Sequence, residues 1–294
     1  MKMKILIAYD GSSHSDAALK DLFRAGLPRE AEVIILSLAG HRMALAASAS
    51  FNVLGAAAHN PSLLRHVEEQ AIHDARAKAV AAAEFIKSAF PGWELASECD
   101  AGSPVPRILS DAEAWKPDLI VVGSHGRSAL GRFFLGSVSQ AIVKEAPCSV
   151  RVGRARDTET NGPTRLIIGV DASAGSEAAL AAVERRAWPR GCEVRILSAI
   201  NLMATPIPQE YLARKAEAAA RRLRSAGLDS SVTLRVGQAA DVLIDEAEKW
   251  EADCIFVGAR GLGPLGRFFL GSTSATVASK AGCSVEVVRG EGLV

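Results

Sequence analysis

A glycine-rich loop that occurs twice in the chain carries the residue types best suited to chemistry. In the first copy, Gly123 and Gly126 are followed after nine residues by Gly136 and Ser137. The same spacing recurs in the second half of the chain, again after a run of apolar residues. The second copy consists of Gly258, Gly261, Gly271 and Ser272. This repeated spacing predicts that the two loops share one chemical role.

The loop has the properties of a phosphate-binding site. Glycine lets the backbone approach an anion closely and adopt positive φ, and a helix N-terminus offers unpaired N–H groups and partial positive charge. Ser137 and Ser272 can add a hydroxyl donor to a phosphate oxygen. Ser139 and Ser274 are helix-start residues that can cap the helix instead. The spacing therefore predicts a nucleotide phosphate site in each half, with a purely structural loop as the alternative.

The same loops argue against several enzyme classes. Neither has the Lys that follows Gly in a P-loop, and no Gly-x-Gly-x-x-Gly follows the first apolar run of either half. There is no general base beside a positioned nucleophile, because His125 is the one candidate base in the first loop and Arg260 replaces it in the second. We therefore assign no catalytic residue and expect slow turnover at most.

The loops lie within an internal duplication of the whole chain. Residues 4–10 match residues 165–171 at an offset of 161, whereas positions from Gly102 to Cys148 match Gly237 to Cys283 at an offset of 135. The difference places 26 extra residues in the first half, around residues 41–65. A polar connector follows residue 153, so we expect one domain over residues 1–154 and another over residues 163–294.

Apolar runs and helix signals alternate along each half. In the first half they predict strands at residues 4–9, 32–38, 94–99, 119–123 and 149–152, and helices at 13–27, 61–89, 104–116 and 137–145. Such alternation implies an α/β fold with two tandem doubly wound parallel sheets of five strands each. Ligands of such sheets bind at the carboxyl ends of the strands, where both glycine loops begin.

Composition narrows the class of partner. The 294 residues have a formal net charge of +1 and are 23% charged, which disfavours binding to nucleic acid or an anionic membrane. The N-terminal apolar run breaks at Asp10, and no stretch approaches the ~20 apolar residues that span a bilayer. We expect a soluble, cytoplasmic protein.

Together these motifs resemble a tandem universal stress protein of the ATP-binding kind across essentially the whole chain. The resemblance is carried by Gly-x2-Gly-x9-Gly-Ser in both halves, by the Asp-Gly-Ser-x-x-Ser and Asp-Ala-Ser-x-x-Ser segments, and by Ala-Gly-Ser-Pro before the third helix. It implies a Rossmann-like fold of the adenine-nucleotide α-hydrolase type. It also implies ATP as the ligand, with AMP or ADP as alternatives.

The resemblance assigns a nucleotide contact to each matching position. In the family, an Asp ending the first strand lies beside the nucleotide, a residue ending the second strand contacts adenine, and the glycine loop holds ribose and phosphates. The implied contacts in the first half are Asp10, Gly11, Leu38, Gly123, Ser124, His125, Gly126, Gly136, Ser137 and Val138. Those in the second half are Asp171, Ala172, Ala199, Gly258, Ala259, Arg260, Gly261, Gly271, Ser272 and Thr273.

The two copies are not expected to be equivalent. Ala172 replaces Gly11 and Ala259 replaces Ser124, so we expect both sites to bind with unequal affinity and favour the first as the regulated site. Asp10 and Asp171 are candidates for holding Mg²⁺ between the phosphates, because hard cations prefer carboxylate and phosphate oxygens. The alternative is that each Asp binds backbone N–H groups at a helix start.

Three functions follow as hypotheses. The first is a nucleotide-responsive regulator in the stress response, acting on itself or on a protein partner that the sequence does not identify. The second is a slow ATPase or autophosphorylating phosphotransferase, and the third is a scaffold with a structural nucleotide. The resemblance further implies that residues 149–152 and 284–288 pair within one chain and that two tandem chains form a homodimer.

Overall fold

The computed structural model describes residues 2–39, 61–125, 135–154, 162–200, 208–261 and 270–290. Most of the 26-residue insertion, Gly126 and nearly all of both segments between the glycines lie outside these residues. Among the helices of the described ranges, none is both long and apolar enough to cross a membrane.

Each half alternates strands and helices in the predicted order. The first half contains β1 (Met3–Ala8), α1 (Ser13–Asp21), β2 (Ala31–Ala39), α2 (Pro61–Ala89), β3 (Glu94–Ala101), α3 (Pro104–Trp115), β4 (Leu119–Gly123), α4 (Ser137–Glu145) and β5 (Ser149–Gly153). The second contains β6 (Arg165–Gly169), α5 (Ala174–Glu184), β7 (Glu193–Ile200), α6 (Gln209–Ser225), β8 (Asp229–Val236), α7 (Ala239–Lys249), β9 (Cys254–Gly258), α8 (Ser272–Lys280) and β10 (Ser284–Val288).

The strands form one sheet that runs through both halves. Its order is β3-β2-β1-β4-β5-β10-β9-β6-β7-β8, so each half contributes five parallel strands. The predicted α/β class is confirmed. The halves join where β5 and β10 pair antiparallel, with Val152 opposite Val285 and Val150 opposite Val287. The two predicted five-stranded sheets are therefore halves of a ten-stranded sheet.

Two predicted helices end earlier than expected. The helix predicted to reach residue 27 ends at Asp21, and a 3₁₀ turn over Leu22–Arg24 leads to Gly26, whose φ of 61° is left-handed. The helix predicted to reach residue 116 ends at Trp115, because Lys116 has a φ of 52°. Left-handed backbone cannot continue a right-handed helix, so the chain turns at these residues.

Apolar side chains cover both faces of the sheet. On one face a continuous core crosses the junction, from Leu6 and Val150 in the first half to Ile255 and Val285 in the second. On the other face each half has its own core, under α1 and α2 or under α5 and α6. Burial on both faces explains why the strands are near-continuous apolar runs.

The start of α1 and the start of α5 lie almost directly on the ends of β4 and β9. A Cβ built on Gly123 would lie 2.8 Å from the backbone of His14, and one on Gly258 would lie 2.3 Å from the carbonyl carbon of Gly175. These distances leave no room for a side chain. The first glycine of each loop is thus required by helix–strand packing, which supports the structural alternative for this one position.

Replacing Gly258 by Ala is expected to lower the free energy of unfolding by about 1–3 kcal/mol, because the new methyl group overlaps the backbone of α5. Urea denaturation measures this change. The matched control is Gly282→Ala, whose Cβ would meet no atom within 4 Å and which should change stability by less than about 0.5 kcal/mol. Equal effects of the two substitutions would show that the close approach is not a constraint.

Candidate functional site

A cavity of about 260 Å³ opens at the carboxyl ends of the strands in the second half. It lies between the end of β6, the end of β9 and the start of α8. Its lining comprises Gly169, Val170, Asp171, Ser173, Ser176, Leu197, Ala199, Ala239, Leu243, Val257, Gly258, Arg260, Gly261, Gly271, Ser272, Thr273 and Ser274. The structure therefore brings together eight of the ten residues predicted for this half, all except Ala172 and Ala259.

The lining separates into an apolar and a polar part. Val170, Leu197, Leu243 and Val257 are buried side chains of β6, β7, α7 and β9 or of the turns that follow them, and Ala199 lies beside them. Polar groups come from the turn after β6, the turn after β9 and the N-terminus of α8. Such a division suits a ligand with one flat apolar end and one anionic end.

The N-terminus of α8 supplies donors to the polar end. Gly271 is the N-cap residue, and its own N–H donates to the Ala259 carbonyl at 2.8 Å. The N–H groups of the first helical turn have no partner within the helix, and Ser272 and Thr273, which carry two of them, line the cavity. The available donors are therefore these amides and the Ser272 hydroxyl, and not the amide of Gly271.

Both glycine loops are tied to their strands by a serine hydroxyl. Ser274 donates to the carbonyl of Gly258 at 2.6 Å, and Ser139 donates to the carbonyl of Gly123 at 2.6 Å. The prediction that these serines cap their helices is wrong, because their hydroxyls are used to anchor the helix start to the preceding strand. The cap position is a glycine in both loops.

Gly271 has an open side that protein packing does not explain. Its φ is −63° and ψ is 146°, which any residue adopts, and a Cβ built on it would come no closer than 3.4 Å to the Ala259 carbonyl. The next neighbours are atoms of Arg260 and Gly261, both of which line the cavity. Among the described residues, a methyl group at position 271 would therefore make only ordinary van der Waals contacts, and it would occupy space beside the cavity.

The two aspartates bind the start of the following helix with one oxygen. Oδ1 of Asp10 accepts from the Ser12 N–H at 2.9 Å, and Oδ1 of Asp171 accepts from the Ser173 N–H at 3.0 Å. The other oxygen of Asp171 lies 2.8 Å from where a Cβ of Gly261 would stand, so it faces the glycine loop. Within the described ranges no three His, Cys, Asp or Glu side chains gather as a metal site, and Mg²⁺ binding stays a prediction.

The first half repeats the backbone geometry of the second. Gly136 is the N-cap of α4, with φ −61° and ψ 152°, and its N–H donates to the Ser124 carbonyl at 2.8 Å. Ser137 and Val138 begin α4, as Ser272 and Thr273 begin α8. Leu38 lies near the end of β2 and packs, half-buried, against the continuous core, while Gly126 is outside the described residues.

The backbone after each aspartate is left-handed in both halves. Gly11 has a φ of 71° and Ala172 a φ of 65°. Glycine adopts this conformation freely, whereas alanine pays about 1 kcal/mol. The turn is therefore the same in both halves. Ala172 lowers the stability of the second half slightly and leaves the backbone of the site unchanged.

Side chains at the start of the first glycine loop distinguish the first half from the second. Ser124 Oγ lies 3.2 Å from Nδ1 of His125 and 3.4 Å from Nδ1 of His14, and the two imidazole rings are 4.9 Å apart. His125 is only 9% exposed, and its Nε2 lacks a hydrogen-bond partner among the described residues. Burial lowers the pKa of His125 below its ordinary 6.5, and His14 and Arg154 lower that pKa further.

Two residues near the first site have no counterpart in the sequence prediction. His14 aligns with Gly175, so the duplication gave no reason to select it. Lys78 on α2 lays its side chain over Gly11, with Cδ 2.9 Å from where a Cβ would stand. The alignment of the halves is interrupted by the insertion just before α2, so spacing alone could not place Lys78 beside Gly11.

Comparison with known proteins places the whole chain in one family. A sequence model of the universal stress protein family matches twice, over residues 1–154 and 163–289. A universal stress protein of Mycobacterium tuberculosis is 30% identical over 225 residues, which cover 72% of this chain and 75% of that protein. Another, of Mycolicibacterium smegmatis, is 29% identical over 297 residues, covering 97% of this chain and 96% of its own.

Solved structures share the fold along the full chain. A universal stress protein from Archaeoglobus fulgidus superposes with a TM-score of 0.68 at 20% identity, covering 97% of this chain and 98% of that one. A protein of unknown function from Pseudomonas aeruginosa superposes with a TM-score of 0.64 at 15% identity, covering 99% and 94%. With two matched copies of the family's domain, the chain belongs to the universal stress protein family as a tandem member.

Proposed function

We propose that each half binds an adenine nucleotide, with the phosphates on the N-terminus of α4 or α8, and that occupancy regulates the contacts of this protein in the stress response. The observation that carries the proposal is the open side of Gly271. Neither its backbone angles nor its neighbours among the described residues require glycine, whereas glycine would let a phosphate chain approach the backbone closely at the helix N-terminus.

The rest of the second cavity supports a nucleotide over a simple anion. The apolar part of the lining, here called the apolar floor, contains Val170, Leu197 and Leu243 and offers a surface for a base. The volume of about 260 Å³ is near the lower end of the ~300–1,000 Å³ of small-molecule sites. Inorganic phosphate alone would leave the apolar floor in contact with water.

The charges around the cavity favour binding over rapid hydrolysis. Asp171 uses one carboxylate oxygen to bind the start of α5. The guanidinium of Arg260 cannot act as a base near neutral pH. Binding of a nucleotide would cover the N-terminus of α8 and thereby change the surface of the protein there. A homodimer of the tandem chain and a regulatory protein partner stay predictions of the family resemblance.

Replacing Gly271 by Val is expected to weaken ATP binding to the second half at least about tenfold, because the side chain enters the space beside the cavity. Isothermal titration calorimetry should show two sites in the unmodified protein and one in the variant, and Gly136→Val should remove the other. Gly282→Val is the control, since its Cβ meets nothing within 4 Å.

Unchanged ATP binding in both loop variants would contradict the phosphate-loop assignment. The same samples also decide between binding and catalysis when phosphate release is followed. Turnover well above about 1 per minute would favour the enzymatic alternative, because typical enzymes turn over near 10 per second.

ATP affinity of the first half is expected to increase as the pH is lowered from 8 towards 5.5. The lowered pKa keeps His125 neutral at pH 8, and the protonated form adds a positive charge beside the phosphate loop, next to His14, Ser124 and Arg154. The gain approaches about tenfold for each unit by which bound phosphate raises the pKa of His125, and it is complete only below the pKa of His125 in the free protein.

Calorimetry over this pH range on the Gly271→Val variant isolates the first half. The Gly136→Val variant isolates the second half, where Arg260 stays charged, and it corrects for protonation of ATP itself. His125→Gln should remove the difference between the halves. Identical pH dependence of the two halves before that substitution would exclude His125 from phosphate binding.

A further inference from the structure

The junction between the halves contains one pair of residues that are each other's equivalents. Arg151 on β5 stands directly opposite Glu286 on β10, and the two are 135 positions apart, which is the offset of the duplication here. The flanking pairs, Val150 with Val287 and Val152 with Val285, are equivalents of one another. The Arg151–Glu286 pair therefore lies on the approximate two-fold axis that relates the halves.

Several other contacts across the junction obey this symmetry. Arg154 donates to the carbonyl of Ala278 at 2.6 Å and to that of Cys283 at 3.1 Å, near the end of α8. Arg289, its equivalent, donates to the corresponding carbonyls of the first half, those of Val143 at 2.9 Å and Cys148 at 3.2 Å. Because each half offers the same arginine and the same carbonyls, two like halves could make all of these contacts.

The charges on the axis break the symmetry. Arg151 binds Asp21 through Nε at 2.6 Å and Nη2 at 3.0 Å, and its Nη1 lies 3.2 Å from Oε2 of Glu286. Glu286 in turn accepts from Arg186, at 2.9 Å for Nη1. Arg151 and Glu286 are 0% and 1% exposed, and the four side chains alternate in charge along a buried line.

We propose that Arg151 and Glu286 restrict this sheet edge to pairing between unlike halves. Two first halves would place Arg151 against Arg151 on the axis, and two second halves would place Glu286 against Glu286. Each axial side chain would keep its partner within its own half, Asp21 or Arg186, but it would lose the opposite charge across the axis and face a like charge. Such juxtaposition of buried like charges disfavours pairing by about 100-fold or more. The partner that fits β5 is therefore a second half, from the same chain or, by reciprocal exchange, from another copy of this chain.

The test begins with the full chain, carrying a protease site within residues 155–161. The folded protein is cut there, and an isotope-labelled sample is mixed with an unlabelled one under mild urea to let the halves exchange. Native mass spectrometry then counts the complexes. We expect complexes of one first half with one second half, with like pairs at least about 100-fold rarer. Like pairs in statistical proportions would overturn the proposal.

A neutral variant separates charge from shape. In the Arg151→Gln, Glu286→Gln double variant, amide groups can still bind Asp21 and Arg186, and the symmetric contacts of Arg154 and Arg289 remain. Like pairs should then become at least about tenfold more frequent than in the unmodified protein, while Asp21, Arg186 and the Arg24–Asp253 ion pair still favour unlike halves. Strict pairing of unlike halves in this variant would show that the selectivity does not come from the axial charges.

If the cut halves unfold when they separate, the intact chain provides the decisive measurement. Urea unfolding is followed for Arg151→Gln, for Glu286→Gln and for both together. Each single change should raise the unfolding equilibrium constant about tenfold or more, and the double change should raise it by much less than the product of the two. Multiplicative effects would mean that the two side chains do not interact and would overturn the proposal.

Discussion

The close approach of α1 to β4, and of α5 to β9, is the constraint on which the site depends. With no side chain at Gly123 or Gly258, each helix starts on the end of its neighbouring strand. The carbonyl of Gly123 then accepts a hydrogen bond from the Ser139 hydroxyl, which holds the start of α4 at the end of β4. In the same way, the carbonyl of Gly258 accepts from Ser274 and holds the start of α8 at the end of β9. In each half two helix starts therefore meet at the end of one strand, and in the second half the N–H groups at the start of α8 border the cavity at the sheet edge.

The duplication produced two similar backbones with different chemistry. Around the first loop, His14, Ser124 and His125 contact one another, whereas the second half has Gly175, Ala259 and Arg260 in their places. At the junction, the same process put Arg151 and Glu286 at equivalent positions. In both places the two halves share their backbone contacts and differ in the charge of side chains at equivalent positions.

The parts of the structure that depend on local pattern were predictable from the sequence. Strands buried on both faces are apolar runs, and these runs predicted an α/β fold with five strands in each half. The pairing of residues 149–152 with 284–288, which joins the halves in one sheet, was expected only from the family resemblance. The predicted end of α1 was wrong, because the 3₁₀ turn that leads to the left-handed residue Gly26 has no distinct sequence pattern. Lys78 reaches Gly11 from α2, and His14 reaches Ser124 and His125 from the start of α1; only tertiary packing brings these side chains together.

Hydrogen–deuterium exchange with and without ATP tests the central claim most directly, because it reads the amides that would hold the phosphates. ATP should slow exchange at residues 272–274 and 137–139, whose N–H groups have no partner within their helices. It should leave the edge strands β3 and β8 unchanged. Binding of ATP with protection elsewhere and none at these two helix starts would contradict the account.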